Sequence, residues 1–169
     1  MSELLSDEEY KDVISWLPKG KKLTLLYKGS RDGFDAASFH YYCDNKGPTM
    51  TLYRSDHGYV FGGYTSVSWE GSSSFKADPS AYIFSVYLRK KLEQIDPSKN
   101  KYSIMDYKSY GPSFGYDDLR VKGVERSSKI KALRKSYLGP KGEKTRSWAT
   151  YLSGANEFTL TEIEVYKVE

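Results

Sequence analysis

The sequence predicts a mainly β protein: a β-sandwich of two antiparallel sheets with a few short flanking α-helices. Three observations carry that expectation. Aromatic residues make up 15% of the chain, sixteen of them tyrosine, and such rings favour pleated, half-buried surfaces. Short apolar runs recur between clusters of Gly, Pro, Asn and Asp, the punctuation of hairpins. The closing stretch Thr161–Val168 alternates, with Ile163 and Val165 on one face and Glu162 and Glu164 on the other, which predicts a half-buried strand with the two glutamates in solvent. At 169 residues folding buries roughly 70% of the unfolded surface. The expected organisation is one domain, with a helical segment over 1–19 packed on a sandwich formed by 20–169.

The elements follow in order. Ser6 with Glu9 three residues on has capping-box spacing, and Tyr10, Val13, Ile14 and Leu17 form an amphipathic stripe that Pro18 and Gly20 end. Leu23–Tyr27 reads as a strand leading into turn residues at KGSRDG. Asp35 caps a short second helix running to about Cys43, with Phe34 and Phe39 at hydrophobic-staple spacing. Asp44, Asn45 and Gly47 close it, and Pro48 forbids continuation. TMTLYR and YVFGGYT flank Ser55-Asp56-His57-Gly58 as a hairpin, and the pair Gly62-Gly63 marks a bulge or the close approach of another backbone or ring. SWEGSSSFKADPS reads as loop, Ala81–Leu88 as a strand buried on both faces, and RKKLEQIDPSKNK as a polar connection. Tyr102–Met105, Phe114-Gly115 and Leu119–Val121 are shorter strand candidates, and Gly123–Arg146 reads as a long exposed loop.

Composition excludes several function classes. No apolar run approaches the roughly 18 residues of a membrane span, and the opening MSELLSDEEY is acidic where a secretion signal would be basic. A soluble cytoplasmic protein is expected. The single cysteine, Cys43, cannot form an internal disulfide, in keeping with a reducing compartment. The net charge of +4 is unevenly placed, with ten Lys or Arg against two Glu between Arg120 and Arg146.

The chemistry-bearing residues are sparse. Cys43 and His40 have the spacing of a thiolate and its base on one helix, the nucleus of an alternative reading as a redox-active or hydrolytic enzyme. Against it, the cysteine lies near the helix C-terminus, where the dipole disfavours a thiolate. Two histidines and one cysteine without paired spacing offer no metal site, and no cofactor fingerprint or nucleophile elbow is present. Arg31-Asp32 reads as a local ion pair shaping a turn, or as an arginine that reaches a partner's carboxylate. The basic residues Lys129, Lys131, Arg134 and Lys135, within the segment 120–146, suit an acidic protein face, with a polyanion or membrane surface as the alternative. Aromatics for base stacking are thin there, so nucleic acid ranks below protein.

Taken together, LLYKGSRDGF, CDNKGPTMTLYRSDHGYVFGGYTSVSW, AYIFSV, YGPSFGYDDLRV and ANEFTLTEIEVYKV resemble, in that order, a TLDc domain, from about Leu17 to Val168. The resemblance implies a two-sheet sandwich without enzymatic activity or cofactor. It also implies a link to oxidative-stress resistance and a protein partner, the vacuolar proton-pumping ATPase. Larger members carry the domain at the end of a long chain, whereas here it is expected to stand nearly alone. Gly33, Phe34, Gly47, Pro48, Phe61, Gly62, Gly63, Trp69, Phe114, Gly115 and Phe158 are expected to form the scaffold, and Arg31, Asp32 and the basic segment to present the contact surface.

Overall fold

A computed structural model describes residues 2–18, 21–122, 127–129, 136–139 and 149–169. The chain order is α1 (Asp7–Ser15), β1 (Leu23–Lys28), α2 (Gly29–Asp32), α3 (Ala36–Cys43), β2 (Thr49–Ser55), β3 (Val60–Thr65), β4 (Ser74–Lys76), β5 (Tyr82–Ser85), β6 (Lys90–Leu92), β7 (Ile104–Asp106), β8 (Ser113-Phe114), β9 (Arg120-Val121), β10 (Ser127–Lys129), α4 (Ala149–Ser153) and β11 (Glu157–Val168). The larger sheet runs β6-β5-β3-β2-β11-β10-β9, with β1 also paired to β11, and the smaller runs β4-β7-β8. All of these pairings are antiparallel, so the structure is the mainly β architecture the sequence predicts.

Alternation along β2 and β11 divides the interior in two. Tyr53, Phe61, Trp69, Phe114, Ile163 and Val165 belong to a core that also takes in Phe39 and Cys43 from α3. Met50, Leu52, Tyr64, Phe84, Tyr166 and Val168 belong to a second core, closed by Leu4, Leu5, Val13 and Leu17 from the N-terminal segment. Three buried aromatic side chains find partners for their polar atoms: Tyr53 donates to the Pro112 carbonyl at 2.6 Å, Tyr137 to that of Ser103 at 2.7 Å, and Trp69 Nε1 to Thr49 Oγ1 at 2.9 Å.

The capping box forms at α1: Glu9 N–H donates to Ser6 Oγ, and Ser6 N–H to Glu9 Oε2. Asp35 caps α3 by accepting from Ser38 N–H at 2.8 Å. The β2–β3 hairpin pairs in register from Thr49↔Thr65 to Arg54↔Val60. At Gly62 a Cβ would lie 2.1 Å from the Thr51 carbonyl oxygen and 2.3 Å from the Phe84 ring, and at Gly63 2.5 Å from the Phe114 ring. Close approach, rather than turn formation, is what these two glycines permit.

Several expectations are corrected. Glu162 and Glu164 do not face solvent: they are 5% and 2% exposed. Their face of β11 is roofed by α2 and the N-terminal segment, so Ser30 N–H donates to Glu162 Oε1 at 3.0 Å while Ser2 Oγ–H and Tyr166 O–H donate to Glu164 Oε2 at 2.5 and 2.7 Å. Alternation identified the face but not what covers it. KGSRDG contains the one-turn helix α2 rather than a plain turn. The loop reading of SWEGSSSFKADPS misses β4, and the polar connection after Leu88 contains β6, whose lysines suit an edge strand. The strand expected over Ala81–Leu88 is confined to β5, and the expected loop Gly123–Arg146 includes β10. None of these short strands carries a period long enough to read; pairing with a neighbour defines them.

Candidate interaction surface

At the end of β1 the backbone turns through α2 into α3, and each step has a local cause. Asp32 Oδ2 accepts from Lys28 N–H at 2.9 Å, closing the single turn. Arg31 lies against the same carboxylate as a fork, Nε to Oδ1 at 2.8 Å and Nη2 to Oδ2 at 2.7 Å, with Nη2 also 3.4 Å from the Leu26 carbonyl. The guanidinium, and next the Lys28 N–H, outweigh partial burial and hold the Asp32 carboxyl below its ordinary pKa. Gly29 is fitted against the Phe34 ring, which a Cβ would approach to 2.6 Å. Gly33 has φ +103° and its carbonyl accepts from Tyr27 O–H at 2.6 Å. A left-handed residue here must lack a Cβ.

The outcome is an arginine held in one orientation with its side chain 52% exposed, while Asp32 is 7% exposed. Next to it, α3 buries Ala36, Phe39 and Cys43 and turns Tyr41 and Tyr42 outward. Tyr41 is 81% exposed, packs edge-on to Tyr42 at 5.0 Å, and Tyr42 in turn lies 6.4 Å from Tyr27. Leu25 on β1 is also exposed. An oriented arginine beside exposed tyrosines is the residue mixture enriched where protein partners bind. The helical wheel of SFHYYC already implies that Tyr41 points away from Phe39 and Cys43, a signal the sequence reading did not use.

The candidate chemistry is occupied elsewhere. Cys43 is fully buried, and that burial, followed by the Asp44 and Asp32 carboxylates, pushes its thiol well above the ordinary range. His40 does not act on it: Nδ1 meets Asp44 Oδ1 at 2.7 Å and Nε2 meets the carbonyls of Tyr107 and Tyr110 at 2.9 and 3.0 Å. The ring therefore ties α3 to the segment after β7. Among the described residues no group of three or more His, Cys, Asp or Glu could hold a metal ion.

Among the described residues three further carboxylates are buried, none singled out from the sequence for burial. Asp106 accepts from Glu70, Gly71 and Ser72 N–H and lies 3.0 Å from Lys76 Nζ. Burial alone would raise its pKa, but the ammonium and those N–H groups lower it. Asp78 binds Thr65, Ser66 and Ser80 in the same manner. Asp118 differs. Its Oδ2 accepts from Ser136 and Tyr137 N–H at 3.2 and 3.1 Å, yet Oδ1 is buried without a hydrogen-bond partner among the described residues. Burial dominates there and pushes the carboxyl up to about 7.

The other expected residues fall as follows. Phe61, Trp69, Phe114 and Phe158 are buried in the inter-sheet core and Phe34 packs against it. Gly47 and Gly115 take φ of +76° and +75°, and the Pro48 carbonyl accepts from Val168 N–H at 3.0 Å. The backbone of Lys129 pairs with Arg120 and Glu157. Lys131, Arg134 and Lys135 lie outside the described residues.

Residues 1–169 match the pattern of the TLDc domain. The MTOR-associated protein MEAK7 of Danio rerio is 42% identical over 45 residues, 27% of this chain and 10% of that protein. TBC1 domain family member 24 of Xenopus tropicalis is 31% identical over 71 residues, 40% of this chain and 13% of that protein. Interferon-induced protein 44 of Homo sapiens is 44% identical over 52 residues, 30% of this chain and 11% of that protein. The chain therefore spans little more than a tenth of the length of these curated relatives.

Proposed function

This chain belongs to the TLDc domain family, and on that premise we propose that it is a non-catalytic interaction module that engages a protein partner through the Arg31 surface. The observation that carries this is the fork of Arg31 on Asp32: an exposed guanidinium fixed by its own turn, near Tyr42, which packs edge-on to the exposed Tyr41. Such a group binds without first losing side-chain freedom, which is where contact affinity is often spent. The described nucleophile supports the same reading from the other side, since Cys43 is buried and its neighbouring histidine is engaged.

The partner proposed is the cytoplasmic catalytic sector of the vacuolar proton-pumping ATPase, with a consequent role in oxidative-stress resistance. This is what the family resemblance implies. One relative is named for association with MTOR, and a shared partner of that kind is the second reading. The basic segment 120–146 is proposed as an auxiliary contact for an acidic face.

The test is binding of the purified catalytic sector to immobilised protein, comparing wild type with Arg31→Glu and with the pair Tyr41→Ala, Tyr42→Ala. Charge reversal at Arg31 is expected to weaken binding by about tenfold or more, a typical effect at a centrally placed anchor. A folded Arg31→Glu protein that binds the pump as wild type does would remove this surface from the reading. Failure of wild type to bind, alongside capture of MTOR, would favour the second partner.

A further inference from the structure

We infer that the outer face of the small sheet holds a second, separate site, a cleft beside Tyr102 that takes a short acidic peptide segment carrying aromatic side chains. Phe75 on β4 and Met105 on β7 are direct cross-strand partners and share one face, whereas Ile104 and Phe114 enter the core between the sheets. Around Phe75 stand three tyrosines. Its ring is stacked on Tyr116 at 5.1 Å and meets Tyr102 and Tyr107 edge-on at 5.0 and 5.5 Å, while Tyr102 meets Tyr116 edge-on at 5.2 Å. Tyr102 and Tyr116 nonetheless remain 41% exposed each. Rings that brace one another yet stay open offer contact area at little entropic cost.

Beside Tyr102 opens a cleft of about 240 Å³ whose walls include Asp96, Lys99, Asn100, Lys101 and Ser136. Its frame is rigid. Asn100 donates through Nδ2 to the buried Gln94 at 2.8 Å and accepts Tyr102 N–H at 2.9 Å, and Ile95 N–H donates to the Ser136 carbonyl at 2.9 Å. Asp96 is already engaged, accepting from Ser98 Oγ at 2.8 Å and lying 3.6 Å from Lys99. Lys101 is exposed and has no ion-pair partner among the described residues. Among the described residues the mouth thus presents two ammonium groups, Lys99 paired with Asp96 and Lys101 without an ion-pair partner, next to the exposed ring of Tyr102.

That combination selects the occupant. A nucleic-acid strand would require a track of many cations and a run of open stacking faces, and here the rings meet largely edge to edge. An anionic membrane requires a cluster of four or more basic residues. Among the described residues, two lysines and an aromatic wall match a glutamate or aspartate next to a phenylalanine or tyrosine. The site uses none of the residues of the Arg31 surface, so either can fail without the other.

The test is an NMR titration of the ¹⁵N-labelled chain with a heptapeptide that alternates paired glutamates with phenylalanine. Amide shifts are expected at Lys99, Lys101, Tyr102 and Ser136. Lys101→Glu is expected to weaken binding about tenfold and Tyr102→Ala about fivefold, with Tyr102→Phe retaining it, in keeping with a charged rim around an aromatic anchor. A matched peptide with glutamine in place of glutamate is expected not to bind. The proposal is overturned by any of four results: no shifts at peptide concentrations up to about 1 mM, equal affinity for the glutamine peptide, indifference to Lys101→Glu in a protein that melts as wild type does, or shifts confined to Arg31 and Tyr42. Displacement of the peptide by phosphatidylserine vesicles at lower concentration would replace it with a membrane site.

Discussion

Among single residues, Asp118 has the clearest measurable consequence. Its folded-state pKa of about 7 stands above that of an unfolded aspartate, so the folded chain holds the proton more tightly. The associated stability is fully present below the unfolded value and is lost as pH rises through about 7. Asp118→Asn keeps an oxygen for the N–H groups of Ser136 and Tyr137 but does not titrate. The variant's stability relative to wild type is therefore expected to rise between pH 5 and pH 8 by on the order of a few kcal/mol, then level off. Urea unfolding at a series of pH values measures it, and parallel curves for the two proteins would show that Asp118 stays ionised. Reading this residue from the sequence was not feasible: beside Asp117, in a stretch rich in Gly, it has the signature of an exposed turn. Only the return of Ser136 and Tyr137 over it removes the water.

Among elements, the N-terminal segment carries more than its one helix suggests. Leu4, Leu5, Val13 and Leu17 close the second core, and each buried aliphatic side chain contributes about 1.5–3 kcal/mol. Four of them approach the 5–15 kcal/mol by which whole domains are stable. Deleting residues 1–18 is accordingly expected to abolish cooperative unfolding, because it exposes Met50, Leu52, Tyr64 and Phe84 and takes Ser2 from Glu164. Val13→Ala, a milder change, is expected to cost about 1–3 kcal/mol while leaving the fold intact, at the modest end of large-to-small core substitutions. A truncated chain that still melts in one sharp transition would mean that the larger sheet is stable without its roof. Capping signals made α1 and α3 legible to within a residue or two, since a cap is chemistry between near neighbours. The short strands β4, β6 and β10 were not legible, since their partners are remote in sequence.

For the whole molecule, the decisive contact is between the sheets. Gly63 of β3 faces the ring of Phe114 on β8, which leaves no room for a methyl group. Gly63→Ala is expected to destabilise by about 1–3 kcal/mol through overpacking. Combining it with Phe114→Leu, which frees space, is expected to cost less than the two single changes added together. Strict additivity in thermal or denaturant unfolding would show that the two residues do not meet. The same inter-sheet packing sets the cluster Phe75, Tyr102, Tyr107 and Tyr116 on the outer face of the smaller sheet, and α3 on the first core sets the outward direction of Tyr41 and Tyr42.

By itself the sequence determined what depends on near neighbours and on period: the mainly β class, the capped helices, the β2–β3 hairpin and the aromatic core residues, while at Gly62 and Gly63 it left a bulge or a close approach open and the structure decided for the latter. It also marked the Arg31-Asp32 turn, because an arginine next to an aspartate and two glycines is a local pattern. Tertiary structure alone decided which polar groups lose their water. Glu162 and Glu164 alternate as solvent residues do, yet a segment more than 130 positions away covers them. Asp118 and the Tyr102 cleft follow the same rule. Periodicity reports which face of a strand a residue occupies, and burial depends on what the rest of the chain lays over that face.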